Sequence, residues 1–412
     1  MFKCFFIVLF VSWCPQVHAG KTAGNAEPWA IKIADSFLRM NPDTIFAVPD
    51  ERKLKWNYDQ SVMFEALYQL WQVTGEKKYF EHMQRNLDYF LKDDGTIKTY
   101  KQNSYSLDLI APGRQLLYLL NFKMSDTSEV SDISKYKKAV TVLRQQLREQ
   151  PRTHEGGFWH KKIYPYQMWL DGLYMAEPFY AIYATDYNEP QDFDDIANQF
   201  IWMEKHARDS VTGLLYHGWD ESKSQRWANP ETGCSPNFWG RAMGWYIMGL
   251  VDVLDYFPKD HPQRKELVAI LQRTAEAIFA CRDSQTYLWW QVLDKPGKDK
   301  NFQEASSSAM FTYAFAKGAN KGYLDKKFYT AAEESFQSIL KHFVTIDEHG
   351  IINLHEICES VGLGGEPYRD GSYDYYSCVP RGVNDLRGYG PFLLAAIEVE
   401  RQQLISLSKE GK

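Results

Sequence analysis

The sequence predicts an all-α protein, an (α/α)6 barrel of six inner and six outer helices, and three observations lead there. Helical periodicity dominates the 412 residues, while alternating β-branched runs are scarce. The helical segments come in two alternating kinds, one amphipathic and one apolar on nearly every side. The apolar kind begins at 57, 108, 169, 237, 304 and 384, a degenerate helical-hairpin repeat. An open α-solenoid or two separate bundles would share the helical content. Strict alternation favours two concentric rings, and no Pro- or Ser-rich linker divides the chain.

The chain starts with Lys3, an apolar run from Cys4 to Trp13, and Val17-His18-Ala19 before Gly20, the order of a secretory signal. Residues 1–19 are therefore expected to be a signal peptide and 20–412 a single barrel domain, placing the mature protein outside the cell or in a periplasm. The apolar run is short of the roughly 20 residues that span a bilayer, so no stable membrane insertion is expected. A lipid anchor at Cys14 competes, but the bulky Trp13 before it fits that poorly.

The amphipathic segments expected in the outer ring are Pro28–Arg39, Lys77–Lys92, Ser134–Glu149, Phe193–Arg208, Arg264–Cys281 and Lys327–Phe343. In Lys77–Lys92, Phe80, Met83, Leu87, Phe90 and Leu91 fall at helical spacing, while Glu81, Arg85 and Asp88 lie elsewhere. The inner segments are Asn57–Trp71, Asp108–Leu120, Trp169–Tyr183, Asn237–Tyr256, Glu304–Ala316 and Asn384–Val399. A helix without a polar face has to be buried against other helices. The segments leading into the inner helices would then open at one end, and their polar residues would converge on one cleft. Thr74-Gly75, Asp94-Gly95 and Thr212-Gly213 mark turns between elements.

Composition excludes several classes. With 44% hydrophobic and 24% charged residues the chain supports a large core and is not disordered. A net charge of −6 supplies no basic field for nucleic acid. The 13 Trp, 26 Tyr and 24 Phe exceed what packing needs and suggest a ligand that stacks. Cys4 and Cys14 leave with the signal; Cys234, Cys281, Cys358 and Cys378 match no zinc spacing. Buried apolar cysteines are the simpler expectation, with Cys358 and Cys378 the nearest pair should a disulfide form. No metal or cofactor motif is present.

The longest aromatic leading segment runs from Gly156 to Pro178 and contains Asp171 between Trp169-Leu170 and Gly172-Leu173-Tyr174-Met175. Such surroundings strip hydration and suit a general acid, while the same position also suits a helix N-cap. Asp108, in Ser106-Leu107-Asp108-Leu109, has the same setting one inner helix earlier, with capping the simpler role for it alone. Two carboxylates from neighbouring helix starts are what sugar chemistry generally uses. Arg241 and Trp245 are four residues apart, so a guanidinium fork and an indole plate share a helix face. They suit an anionic sugar or, equally, an interior stack. His217 fits a site or a structural role alike. Gly362-Leu363-Gly364-Gly365 has no helix after it to cradle phosphate and reads as a loop, and Tyr373-Asp374-Tyr375-Tyr376 would rim the cleft.

The stretch Tyr164-Pro165-Tyr166-Gln167-Met168-Trp169-Leu170-Asp171-Gly172-Leu173-Tyr174-Met175, with His217-Gly218-Trp219-Asp220 and Trp239-Gly240-Arg241-Ala242-Met243-Gly244-Trp245, resembles glycoside hydrolase family 105, the unsaturated rhamnogalacturonyl hydrolases. Family 88, the unsaturated glucuronyl hydrolases, is its near relative. The resemblance covers nearly the whole mature chain. It implies a cofactor-free hydrolase that removes a non-reducing 4,5-unsaturated uronic acid from acidic oligosaccharides left by a polysaccharide lyase, by hydration of the vinyl ether. It further implies Asp171 as acid and base, Asp108 as second carboxylate, and His217, Arg241, Trp245, Trp169, Lys161 and Tyr58 as substrate contacts. A secreted carbohydrate binder, a glucuronyl hydrolase acting on ulvan or glycosaminoglycan fragments, and an inverting glycosidase of saturated sugars are the competing functions. The loops Ser222–Thr232 and Leu363–Tyr376 are expected to select the leaving-side sugar.

Overall fold

The computed structural model describes residues 27–45, 54–125 and 133–410. The expected signal segment lies outside the described residues. In chain order the helices are α1 (Trp29–Met40), α2 (Tyr58–Thr74), α3 (Lys77–Phe90), α4 (Gly113–Ser125), α5 (Ser134–Glu149), α6 (Leu170–Asp186) and α7 (Asp192–Ala207). They continue with α8 (Gly240–Val253), α9 (Arg264–Ala280), α10 (Ala305–Asn320), α11 (Lys326–Phe343), α12 (Tyr373–Ser377), α13 (Leu386–Val399) and α14 (Arg401–Glu410). Short strands form three antiparallel ribbons: β1 (Gln167–Trp169) with β2 (Gly218–Asp220), β3 (Val344–Ile346) with β4 (Ile352–Leu354), and β5 (Ile357–Cys358) with β6 (Arg381–Gly382).

The two expected rings are present. Helices α2, α4, α6, α8, α10 and α13 pack each against the next, and α13 returns to α2 to close the inner ring. Each inner helix carries an outer partner: α3 on α2, α5 on α4, α7 on α6, α9 on α8, α11 on α10, and α1 on α13. The first outer helix thus completes the ring that the last inner helix needs. Burial follows the two sequence patterns. Every residue of α8 is buried, whereas α3 buries Tyr79, Phe80, Met83, Leu87 and Phe90 and exposes Lys77, Glu81 and Arg85. One apolar core runs without a break from Ala30 to Leu404. Each fully buried Leu or Phe in it contributes ~1.5–3 kcal/mol relative to exposure.

Two helices depart from the sequence reading. The second inner helix starts at Gly113, not at Asp108, and Leu107–Leu109 form a single 3-10 turn before it. Pro112 explains the break: it has no N–H to continue a helix and disfavours helical backbone at Ala111. Helix α14 was not anticipated, and it packs across α2 and α13. All four cysteines among the described residues are free thiols, so Cys358 and Cys378 do not pair, and Cys378 is exposed.

The close packing of inner helices has a testable consequence at α13. A Cβ on Gly390 would lie 3.0 Å from the backbone carbon of Val62 and 3.1 Å from the Met63 nitrogen on α2. Neither backbone atom can yield without moving a helix. Gly390→Ala should therefore destabilise the fold by ~1–2 kcal/mol, although alanine is the better helix former. An unchanged or higher denaturant midpoint would contradict this.

Candidate active site

The leading segments of the inner helices meet at one end, around a cleft of about 580 Å³ lined by Tyr58, Asp59, Asp108, His160, Lys161, Tyr164, Trp169, Asp171, Arg369, Asp385 and Arg387, among others. The wall carrying Asp171 is built by the β1–β2 ribbon. Pairing Trp169 with Gly218 ends β1 where α6 begins, and the Leu170 N–H donates to the His217 carbonyl at 3.0 Å. A side chain at position 218 would strike Trp169 and Leu363, so only glycine lets β2 approach this closely. Asp171 is then the second residue of α6, held at the positive end of the helix dipole. It makes no capping hydrogen bond; Trp169 holds the N-cap position, so the capping role considered for Asp171 is not realised.

Asp171 and its neighbours form a short chain of groups. His217 is fully buried, and its Nε2 lies 3.3 Å from Asp171 Oδ2 while its Nδ1 shares a 2.8 Å hydrogen bond with the Tyr376 hydroxyl. Burial pushes the Tyr376 phenol well above its usual range, so it stays protonated. The tautomer in which Tyr376 donates to Nδ1 puts the imidazole proton on Nε2, which lies near Asp171 Oδ2 without a hydrogen bond between them. Among the described residues, Asp171 has no lysine or arginine within ion-pair distance.

Asp108 has the opposite environment. Lys161 Nζ is 2.5 Å from one of its oxygens, and His160 Nε2 is 3.4 Å from the other. Burial acts to raise the Asp108 carboxyl, but the Lys161 ammonium chiefly overcomes it and holds it below its ordinary value. Asp108 is thus a fixed carboxylate. His160 stacks on Trp169 at 4.6 Å and feels both Asp108 and Asp171; burial lowers its pKa to about 4, so it is neutral near pH 7.

Of the residues expected from the sequence, Tyr58, Asp108, Lys161, Trp169 and Asp171 share the cleft. Arg241, Trp245 and His217, expected as ligand contacts, are buried behind the cleft wall and do not line it. Arg241 is 1% exposed, and its donors go to Ser306 Oγ at 2.8 Å, the carbonyls of Cys358 and Glu359, and Glu304 at 3.4 Å. A buried guanidinium must be paired, and Glu304, which caps α10, supplies the charge. Trp245 is buried behind Tyr58, edge to face at 6.0 Å, and beside Tyr174 at 4.8 Å. His217 sits behind Asp171.

Composition and spacing did not single out His160, Asp59, Arg369, Asp385 or Arg387. His160 stood in the quoted aromatic segment, and Asp59 beside Tyr58 at an inner-helix start. The loop Leu363–Tyr376 brings Arg369 to the cleft and Tyr376 to His217 behind it. The Ser222–Thr232 loop lies behind the wall: the Trp227 ring packs with Trp169 and Leu363, and the Trp227 backbone N–H donates to the Tyr368 hydroxyl at 3.0 Å. Among the described residues no group of three or more His, Cys, Asp and Glu side chains could hold a metal ion, and no helix is long and apolar enough to cross a membrane.

A helical barrel with two carboxylates at one mouth is an arrangement that a glycoside hydrolase can use, and comparison with known proteins shows that class. Residues 29–403 match the model of Glycosyl Hydrolase Family 88, and the chain belongs to that family. A glycoside hydrolase of family 105 from C. acetobutylicum ATCC 824 is 40% identical and superposes with a TM-score of 0.84, covering 91% of this chain and all of that one. A 24.9 kDa protein in the picA locus of Rhizobium radiobacter is 39% identical over 54% of this chain and 97% of its own length. The unsaturated rhamnogalacturonyl hydrolase YesR of Bacillus subtilis strain 168 is 25% identical over 77% of this chain and 84% of its own length.

Asp59 on the far wall tests how much stability the cleft sacrifices. Its Oδ1 is buried without a partner, and burial, against the Arg387 charge, raises its pKa from 3.8 to about 6. The folded state thus binds this proton more tightly than the unfolded chain, and stability falls as pH rises from about 4 through 6. Asp59→Asn should raise stability at pH 7.5 by ~1–3 kcal/mol, an advantage that vanishes near pH 4. Equal midpoints for variant and parent at pH 7.5 would show that the carboxylate carries no such penalty.

Proposed function

We propose that this hydrolase removes the 4,5-unsaturated uronic acid from the non-reducing end of lyase-generated oligosaccharides, with the unsaturated rhamnogalacturonan disaccharide as substrate. The observation that carries the reading is the unequal setting of the two carboxylates: Asp108 is locked as an anion by Lys161 at 2.5 Å, while Asp171 has only His217, at 3.3 Å. The name borne by YesR supports the choice of substrate.

In this scheme Asp171 in its acid form delivers a proton to C4, and the electron pair of the C4=C5 bond forms the new C–H bond. The cation left at C5 is shared with the ring oxygen, and the fixed charge of Asp108 stabilises positive charge in the cleft. The Asp171 carboxylate then takes a proton from the water that adds at C5, restoring the acid. The resulting hemiketal breaks its C5–ring oxygen bond to give a ketone. The hemiacetal left at C1 collapses to an aldehyde and releases the second sugar. One water is consumed and no redox partner is needed.

Loss of absorbance from the C4=C5 chromophore follows the reaction directly. The wild-type protein should bleach the rhamnogalacturonan disaccharide, and Asp171→Asn should lose ~10²–10⁴-fold in kcat while remaining folded. Full wild-type absorbance after prolonged incubation with rhamnogalacturonan, ulvan and glycosaminoglycan fragments would overturn the function; an active Asp171→Asn would overturn the role of Asp171.

The substrate class fits export, and the charge and apolar pattern of residues 1–19 supports cleavage before Gly20. N-terminal sequencing of protein secreted from a bacterial host should begin at Gly20. Recovery of the uncleaved chain from the cytoplasm would contradict it.

A further inference from the structure

Four side chains bring formal positive charge to the cleft: Lys55, Lys161, Arg369 and Arg387. Two are already neutralised, Lys161 by Asp108 and Arg387 by Asp385. Lys55 is exposed. Arg369 is half-buried, and among the described residues it forms no ion pair. Its donors meet only neutral acceptors, with Nε on the Gly364 carbonyl at 2.7 Å and Nη2 on the Tyr164 hydroxyl at 2.7 Å and the Leu363 carbonyl at 3.3 Å. The Nη1 hydrogens have no acceptor among those residues.

The segment Gly362-Leu363-Gly364-Gly365, left without a role by the sequence, is built around this guanidinium. A Cβ at Gly362 would fall 2.4 Å from Arg369 Nη1, and one at Gly365 would fall 2.9 Å from Nη2. Backbone bonds between Gly364 and Arg369 in both directions close the turn. Tyr164, which receives the guanidinium, stacks on Trp169 at 4.7 Å, next to Asp171 in sequence by two residues. A charged group is thus fixed on the wall of the cleft without an ion-pair partner among the described residues, and the positive field of Arg369 reaches Lys161.

We infer that Arg369, cradled by Gly362 and Gly365, is a carboxylate-binding subsite of the cleft that selects acidic oligosaccharides. This rests on the function proposed above and adds the group that reads the acid. With Nε and Nη2 spent on the loop and Tyr164, the free Nη1 hydrogens can donate to a carboxylate in a charge-assisted bond, and a lysine, lacking the donors that hold the head in this cradle, cannot reproduce that placement. The carboxylate is supplied either by the unsaturated uronate itself or by an acidic sugar on the leaving side.

The test compares kcat/KM of wild type, Arg369→Gln, Arg369→Lys and Gly362→Ala on the rhamnogalacturonan disaccharide as free acid and as its uronate methyl ester. A tetrasaccharide with a second uronate on the leaving side is run in parallel. Removing a charged partner from such a pair costs ~10-fold or more, so Arg369→Gln should lower the acid-to-ester ratio by at least that, Arg369→Lys by less, and Gly362→Ala in the same direction. A collapse seen with the disaccharide assigns the unsaturated residue's own carboxylate. A loss confined to the tetrasaccharide assigns the leaving-side acid. Acid and ester falling together, as a merely loosened loop would cause, or wild-type ratios throughout, would overturn the subsite. An inactive wild type would count against the proposed function instead. Calorimetric titration of the disaccharide and tetrasaccharide into Asp171→Asn and Asp171→Asn/Arg369→Gln then decides the subsite without turnover: at least ~10-fold weaker binding by the double variant for either ligand supports it, and equal binding of both overturns it.

Discussion

The structure depends on one constraint: six helices with no polar face have to be enclosed on every side. A closed ring sheathed by a second ring encloses all six at once, and α1 reaches round to cover α13. Closure sets where chemistry can occur. Along the inner helices nearly every side chain is buried, and in α6 Asp171 is among the few residues that are not. The segments that lead into the helices carry the remaining polar groups, and the ring gathers them at one mouth.

Within that mouth charge is distributed by purpose. Asp108 is held ionised by Lys161, and Asp385 is likewise held low, against its burial, by Arg387. Arg241 has a different task. Through Glu304 and the carbonyls of Cys358 and Glu359 it ties the start of α10 to β5, and β5 pairs with β6 on the approach to α13. Deep burial makes it part of the frame that places Asp385 and Arg387, so its influence on a ligand is indirect. Asp59 is kept in the wall as a carboxyl whose pKa is raised by burial, a setting that packing alone would not select.

Much of the architecture was legible in the sequence because hydrophobic periodicity is a local signal. The alternation of all-apolar and half-wet helices marks both rings, and glycines at 75, 95 and 213 take the positive φ that their turns require. The start of α4 was misplaced because Pro112 outweighs the apolar pattern around it. The site was legible in part. Asp171, Asp108, Lys161, Trp169 and Tyr58 lie at or near helix starts, where the pattern points. The burial of Arg241, Trp245 and His217 behind the wall was not legible, because spacing along a helix shows which residues share a face and not which neighbour covers it. Arg369, Asp385 and Arg387 reach the cleft from segments far along the chain from Asp171, and local sequence is blind to such pairings. The aromatic surplus proved largely structural: of Trp159, Trp169, Trp219, Trp239 and Trp245, Trp169 alone lines the cleft.

The central claim is that Asp171 protonates C4 of an unsaturated sugar, with no attack on its anomeric carbon. Proton magnetic resonance of the reaction in D2O tests this most directly. Hydration predicts that at early times the vinylic H4 signal disappears as one deuterium enters C4 and the second sugar is released at the same rate. Release of the second sugar with the vinylic proton of the uronate intact and no deuterium at C4 would contradict it.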